Sequence, residues 1–290
     1  MRWNSGARSM SNNCDRPDCR DAGRLRFWTR WQTIRMQGRC FCSESCLQRE
    51  LEGLFEGIVV DRQNPRSMHR MPLGLLMLSR GIVSEAQVQT DLSTQCKERR
   101  DKIGQWLQRL GFATERQVVT ALALQWATPV LALPAESAPQ SIIPLPVLTS
   151  LRIMPVRFVA ARRLLYVAFS NEVDHTVLQA TGQMTECQSS ACVVSDAAMD
   201  RLLQRAQSSD RNSTHLFEKM NDPIEIARTT ASYSEKSGAT DVEYSKCGPY
   251  IWVRLRAVRK YADLLFDVST ATATRTFSAS PATHVTPRAG

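Results

Sequence analysis

Apolar positions recur with helical spacing in two neighbouring stretches of the chain. Residues 72–95 read "PLGLLMLSRGIVSEAQVQTDLSTQ" and residues 102–125 read "KIGQWLQRLGFATERQVVTALALQ". In both stretches a glycine interrupts the apolar pattern, and a serine or threonine precedes a second helical run. Each stretch therefore predicts a helix–turn–helix unit, with Ser84 and Thr114 as the N-caps of the second helices.

The two stretches are copies of one motif, set thirty residues apart. The residues that recur at equivalent positions are Gly74/Gly104, Gly81/Gly111, Glu85/Glu115, Gln87/Gln117, Val88/Val118, Thr90/Thr120, Leu92/Leu122 and Gln95/Gln125. A unit of this size is too small to bury its apolar face alone. We therefore expect the two copies to pack on each other.

The pattern changes on either side of the duplicated motif. Polar runs predict linkers, mixed strand and helix patterns predict a small α/β sandwich after the motif, and a helix ended by Gly238 with three alternating strands predicts a second small domain. The predicted division is 1–60 for a cysteine-rich region, 61–71 for a linker, 72–207 for the motif and its sandwich, 208–221 for a linker, 222–268 for the second domain and 269–290 for a disordered, Ser/Thr/Ala-rich tail.

Cysteine spacing near the N-terminus predicts a metal site. Five of the nine cysteines lie in the first 46 residues, and the chain shows no secretory signal, which favours metal binding over disulfides. Cys14 and Cys19 form one close pair, and Cys42 and Cys46 form another just before a helical pattern. Two such pairs predict a tetrahedral, structural zinc site, in which Cys40 competes with Cys42 but the spacing favours Cys42. The alternative is free thiols on a disordered arm.

The fold class predicted from these elements is α+β. It consists of a zinc knuckle, then the duplicated helix–turn–helix motif packed with a small α/β sandwich, then a second small α/β domain. The 43% apolar and 22% charged residues are ordinary for a soluble protein. No apolar run approaches the roughly 18 residues that span a bilayer, so we expect a cytoplasmic chain with no transmembrane segment.

Positive charge is concentrated at the N-terminus. The net charge is +9, and residues 1–40 hold nine arginines against three aspartates. This excess favours either nucleic acid as a partner, with Trp3, Trp28 and Trp31 as stacking aromatics, or a basic face that offsets metal-bound thiolates.

The duplicated motif resembles that of the N-terminal domain of type II secretion and type IV pilus assembly ATPases, the GspE N-terminal or MshEN family. The family motif is Arg-Leu-Gly-x2-Leu-x3-Gly-x6-Leu-x3-Leu-x2-Gln, present twice. The first copy aligns at Pro72, Leu73, Gly74, Met77, Gly81, Val88, Leu92 and Gln95, and the second at Lys102, Ile103, Gly104, Leu107, Gly111, Val118, Leu122 and Gln125. The resemblance extends over residues 72–206, nearly half of the chain.

Some members of this family bind cyclic di-GMP through the motif, so the resemblance implies a candidate ligand site. Its residues would be Leu73, Gly74, Gly81, Leu92, Gln95, Lys102, Ile103, Gly104, Leu107, Gly111, Leu122 and Gln125. Pro72 and Lys102 stand where the family has arginine, and a lysine keeps the charge but lacks the planar fork. The alternative is that the glycines, leucines and glutamines only hold the helices together.

The C-terminal segment resembles the subdomain that precedes the motor core of the same ATPases. Residues 238–243 match its Gly-Ala-Ser-Asp-Ile-His pattern in part, and Val253, Arg254 and Arg256 match its Val-Arg-x-Arg strand. The sequence has no Gly-x4-Gly-Lys-Ser/Thr loop for a triphosphate, and its four histidines are isolated. We therefore expect no enzyme activity.

These observations predict a regulatory or adaptor protein. It would sense cyclic di-GMP or dock on a type II secretion or type IV pilus machine. The alternative is a nucleic-acid-binding protein that uses the Arg-rich zinc region.

Overall fold

The structure is a computed structural model that describes seven segments of the chain: 14–19, 33–60, 70–89, 102–131, 142–209, 214–258 and 260–269. Residues 270–290 of the tail predicted at 269–290 and residues 61–69 of the linker predicted at 61–71 lie outside these segments. The described segments contain both helices and strands, which agrees with the predicted α+β class. None of the described helices is long and apolar enough to cross a membrane.

Eight labelled helices and nine strands make up the described part of the chain. The helices are α1 Glu44–Val60, α2 Leu73–Ser79, α3 Ile103–Arg109, α4 Glu115–Trp126, α5 Leu145–Leu151, α6 His175–Thr185, α7 Asp196–Ser209 and α8 Pro223–Ser237. The strands are β1 Ile34–Met36, β2 Arg39–Phe41, β3 Ile153–Val159, β4 Leu164–Phe169, β5 Gln188–Val193, β6 Thr214–Phe217, β7 Asp241–Cys247, β8 Tyr250–Arg256 and β9 Tyr261–Asp267. Residues 85–89 are also helical.

The largest sheet joins the two ends of the described chain. Its six strands run in the order β2-β1-β7-β8-β9-β6, and β1 pairs in parallel with β7 through the registers Arg35↔Asp241 and Met36↔Val242. Helix α1 packs along α8 on this sheet. The segments predicted as 1–60 and 222–268 therefore share one sheet.

One apolar core lies between these distant segments. Phe41, Leu47, Leu51 and Phe55 from the cysteine-rich region are fully buried in it. They pack there with apolar side chains of α8 and of strands β7–β9, including Val253. The cysteine-rich region thus obtains its core from residues about two hundred positions away in the sequence, which is how so short a segment stays folded.

The α/β sandwich is built on a three-stranded sheet in the order β3-β4-β5. Strands β3 and β4 are antiparallel and β5 joins in parallel, with helices α5, α6 and α7 packed against the sheet. Trp252 and Leu265 of the large sheet belong to the same core, so the sandwich and the C-terminal strands are packed together.

One sequence-based boundary needs correction. The segment 208–221 is predicted as a linker, but residues 214–217 form the edge strand β6, which pairs in parallel with β9. A strand of four residues with one polar end is too short to show a convincing alternation in the sequence. Helix α8, in contrast, ends at Gly238, as predicted, and the structure shows Asp222 as its N-cap.

Candidate functional site

The four cysteines predicted as metal ligands meet at one point. The thiols of Cys14, Cys19, Cys42 and Cys46 all lie within 4.8 Å of one another. The Sγ atoms of Cys19 and Cys42 are 3.6 Å apart, and Cys46 lies 3.8 Å from each of them. Among the described residues, these are the groups of His, Cys, Asp or Glu that come close enough to hold a metal ion.

This geometry fits a tetrahedral metal ion. Four sulfurs at a Zn–S distance of about 2.3 Å would be about 3.8 Å from each other, close to the spacings observed. Burial, together with hydrogen bonds to Cys19 and Cys46, raises the pKa of Cys42 to about 12. Burial also raises the pKa of Cys46. A cation is therefore needed to hold these sulfurs as thiolates at neutral pH, which is what a thiolate-binding divalent ion supplies.

Cys40 has a different role from the four clustered cysteines. Its backbone carbonyl accepts a hydrogen bond from the amide of Asp15 at 2.9 Å, and its own amide donates to the Asp15 carboxylate at 2.6 Å. Cys40 thus fastens the Cys14–Cys19 turn to strand β2, while Cys42 supplies the thiol. This favours Cys42 over Cys40 as the ligand, as the spacing predicts.

The two motif copies have the same local structure. Ser84 and Thr114 cap the second helices, and in each copy the glutamine three residues later completes a capping box. The backbone N–H groups of Gln87 and Gln117 donate to the hydroxyls of Ser84 and Thr114, respectively, at 3.3 Å in both copies. Helix capping therefore explains why glutamine recurs at positions 87 and 117. The Ser/Thr-x-x-Gln spacing could have indicated this role.

The two first glycines of the motif are packed reciprocally between the copies. A Cβ on Gly74 would lie 2.7 Å from the Cδ1 of Ile103, and a Cβ on Gly104 would lie 3.3 Å from the Cδ2 of Leu73. Each aliphatic residue thus covers the glycine of the other copy. The second glycines serve the turns instead, because Gly81 has a φ of +64° and Gly111 a φ of +72°.

A cavity of about 320 Å³ opens between the second motif copy and the sandwich. Its volume is at the lower end of the range for small-molecule sites. Six of the predicted ligand residues line it: Leu73, Lys102, Ile103, Gly104, Leu122 and Gln125. The other side is formed by Ser170, Asn171 and Glu172 of the sandwich.

The remaining predicted ligand residues do not line this cavity. Gly74, Gly81, Leu107 and Gly111 are absent from its wall, and Leu92 and Gln95 lie outside the described residues. Leu107 is fully buried in the core between the two copies. The duplicated motif therefore forms one cavity, mainly from its second copy, and the first copy contributes Leu73.

The last glutamine of the second copy ties the copies together. Gln125 donates from Nε2 to the carbonyl oxygen of Met71 at 2.7 Å, just ahead of the first copy. This bond and the packing of the glycines agree with the interpretation that part of the motif holds the helices together.

Arg70 and Trp126 are among the cavity-wall residues that were not predicted from the sequence. Arg70 places its guanidinium carbon 3.7 Å from the centroid of the Trp126 ring, and both residues line the cavity. Arg70 also lies 3.3 Å from His175 Nε2. Trp126 directly follows Gln125, and Arg70 lies two residues before the first copy, which begins at Pro72. Their closeness to the motif in the sequence could have indicated that they lie at the site, but the motif pattern itself includes neither position.

The cavity wall carries charges of both signs. Its cations are Arg70 and Lys102, and its carboxylates are Glu115, Glu172 and Asp196. Asp196 is already engaged, because it accepts from Gln105 at 3.1 Å and from Arg152 at 3.3 Å.

The arginines of the Val-Arg-x-Arg strand connect the C-terminal sheet to the sandwich. Arg254 is 5% exposed, forms a two-pronged ion pair with Asp263, and donates to the carbonyls of Met184 and Ile142 at 2.9 and 2.7 Å. Arg256 binds Glu186 of the sandwich at 2.9 Å. This match to the family pattern therefore lies at a contact between structural units.

The residues of the predicted nucleic-acid interface, Trp3, Trp28 and Trp31, lie outside the described residues. That alternative stays a prediction.

Similarity to known proteins is found among solved structures. No family model matches the chain, and no curated protein matches it.

Two of the matching proteins are MshE and XpsE. A structure of MshE with cyclic di-GMP is 25% identical with a TM-score of 0.39, covering 47% of this chain and 99% of that chain. Two structures of the XpsE N-terminal domain are each 19% identical, with TM-scores of 0.35 and 0.29. They cover 48% and 44% of this chain and 98% and 90% of those chains. The likeness thus covers slightly less than half of the chain.

Proposed function

We propose that this protein is a non-catalytic regulatory or adaptor protein of a secretion or pilus assembly machine, and that it senses cyclic di-GMP in the cavity beside the second motif copy. The observation that supports this proposal is that six predicted ligand residues, drawn from both copies, line a single cavity. Gly104 brings the backbone of α3 to the cavity wall, where aliphatic side chains and a cation surround it.

A ligand in this cavity would contact two structural units at once. Lys102 and Gly104 lie on the helical pair, while Asn171 and Glu172 lie on the sandwich. Such a ligand would stabilise the present arrangement of the helical pair and the sandwich, because it would bind that arrangement more tightly than others. This offers a route from messenger binding to a change in how the protein docks on its machine.

The cysteine cluster serves stability in this proposal. Four protein thiolates would fill a tetrahedral zinc site and leave no open position for a substrate. The zinc would hold the Cys14–Cys19 turn against strand β2 and helix α1.

Isothermal calorimetry of the full chain with cyclic di-GMP tests the proposal. We expect saturable binding that weakens about tenfold in Lys102→Ala, because a charge-assisted contact at the cavity is lost. Arg109→Ala is the matched control, since Arg109 is an exposed cation of the same helix outside the cavity wall. Absence of heat at high micromolar ligand would refute the sensing function.

The docking function has its own test. The protein should co-purify with a component of a secretion or pilus machine, and cyclic di-GMP should change the amount recovered. Recovery of nucleic acid instead, lost at high salt, would support the alternative function of the Arg-rich region.

A further inference from the structure

Arg70 is held at the cavity by contacts from two helices. Its guanidinium lies against the ring of Trp126, at the end of α4, with 3.7 Å between the guanidinium carbon and the ring centroid. Nη1 donates to the carbonyl oxygen of Gln125 at 3.4 Å, and Nη2 lies 3.3 Å from Nε2 of His175, the first residue of α6. These contacts fix the plane of the guanidinium before any ligand binds.

A guanidinium fixed in this way suits a purine ligand. It is planar and permanently charged, it stacks on aromatic rings, and its N–H groups form a fork that matches two acceptors. Guanine presents such a pair in O6 and N7, whereas adenine presents N7 beside an amino donor. Among the residues of the cavity wall, Arg70 is the one that combines charge with a planar fork, because the other cation is Lys102.

We infer that Arg70 is the specificity-determining residue of this cavity and selects a guanine nucleotide over an adenine nucleotide. This inference rests on the proposed function. Arg70 does so from outside the motif, two residues ahead of Pro72 in the chain, and Trp126 orients it. The cavity thereby has an arginine although neither motif copy supplies one.

The experiment compares two ligands on the full chain. Calorimetry measures the dissociation constants of cyclic di-GMP and cyclic di-AMP for the wild type, Arg70→Ala, Arg70→Lys and the control Arg80→Ala, an exposed arginine at the end of α2. We expect the wild type to prefer the guanine ligand. Both Arg70 variants should weaken cyclic di-GMP binding about tenfold and reduce the preference, while Arg80→Ala changes neither.

The ratio of the affinities for cyclic di-GMP and cyclic di-AMP distinguishes recognition of guanine by Arg70 from a purely structural role of Arg70. If Arg70 only stabilised the cavity, both ligands would weaken together and the ratio would stay constant, which would overturn the inference. Wild-type affinity in both Arg70 variants would also overturn it while leaving the proposed function intact. Should Arg70→Ala fail to fold, Arg70→Lys decides, because it keeps the charge and loses the fork. Absence of binding to the wild type would refute the proposed function and the inference with it.

Discussion

Gly74 of the first motif copy lies directly against Ile103 of the second, so closely that a Cβ at Gly74 would come within 2.7 Å of the Ile103 Cδ1. The reciprocal contact, between Gly104 and Leu73, is looser at 3.3 Å. The residue before each glycine therefore packs on the glycine of the other copy. This exchange gives a packing reason for the repeated glycines, because each one lets the aliphatic residue of the other copy approach its helix closely.

The cost of filling these glycines should differ between the copies. At Gly104 an added Cβ would also meet Val118 Cγ1 at 2.9 Å, and a β-branched side chain in a helix has little freedom to move. At Gly74 the close atom is the flexible end of Ile103. We expect Gly104→Ala to lower the free energy of unfolding by about 1–2 kcal/mol. Gly74→Ala should be nearly neutral, because the helix propensity gained, about 1 kcal/mol, offsets the contact.

Urea denaturation of both variants measures this difference. Equal destabilisation at the two positions would contradict the role assigned to Val118. Gly57→Ala is a suitable control, because a Cβ there meets no atom within 4 Å and the residue lies in helix α1.

Metal removal should affect the far end of the chain. The cysteine cluster holds the region that carries β1, and β1 pairs with β7. We expect about one zinc per chain, and its removal by a chelator should increase amide exchange in β7 by at least about tenfold. Amide exchange in β5, which lies in the other sheet, should change little. Hydrogen exchange read by mass spectrometry measures both.

Two serine variants sharpen that experiment. Cys19→Ser removes one of the four clustered thiols and should lose the metal, whereas Cys40→Ser should keep it, because Cys40 contributes backbone hydrogen bonds. Unchanged exchange in β7 after complete removal of the metal would show that the cluster does not support the sheet.

Local features of this fold could be predicted from the sequence, but the long-range ones could not. The helix caps at Ser84 and Thr114 and the cysteine pairs depend on residues only a few positions apart, and the structure has them as expected. The pairing of Arg35 with Asp241 depends on residues about two hundred positions apart. A three-residue strand carries too weak a pattern to identify such a partner.

The candidate site shows the same division between local and long-range signals. Lys102, Gly104 and Gln125 were predicted as ligand residues because they belong to a repeated motif, and they line the cavity. Arg70 was missed because its place on the cavity wall follows from its contact with Trp126, which lies 56 positions later in the sequence and beside it in space. The motif itself gave no sign of which side of the helix pair would open to a cavity, since the sandwich completes the wall.

The buried Arg254–Asp263 pair should be sensitive to loss of one partner. Asp263 is 1% exposed and also accepts from the Trp252 Nε1 at 2.8 Å. Arg254→Met leaves this carboxylate buried without its cation, and we expect a loss of about 3–5 kcal/mol in the free energy of unfolding. Adding Asp263→Asn should restore part of that loss, because the amide oxygen still accepts from Trp252 without a charge. Chemical denaturation measures both, and a double variant no more stable than Arg254→Met would contradict the role of charge burial.

The contact between α1 and α8 should make stability depend on pH through Glu44. A hydrogen bond with Glu235 raises the pKa of Glu44 above its ordinary value of 4.5, and burial and the charge of Glu235 raise it further. The folded chain therefore binds this proton more tightly than the unfolded chain. The resulting stabilisation is complete below pH 4.5 and is lost as the pH rises through the raised pKa of Glu44.

Replacing Glu235 with glutamine removes the repulsion between the two carboxylates. Glu235→Gln should therefore melt at a higher temperature than the wild type at pH 7, with the difference vanishing near pH 4. Glu56→Gln, at an exposed position of α1, should show no such dependence. A constant difference in melting temperature from pH 4 to pH 7 would mean that Glu235 does not act through the proton on Glu44.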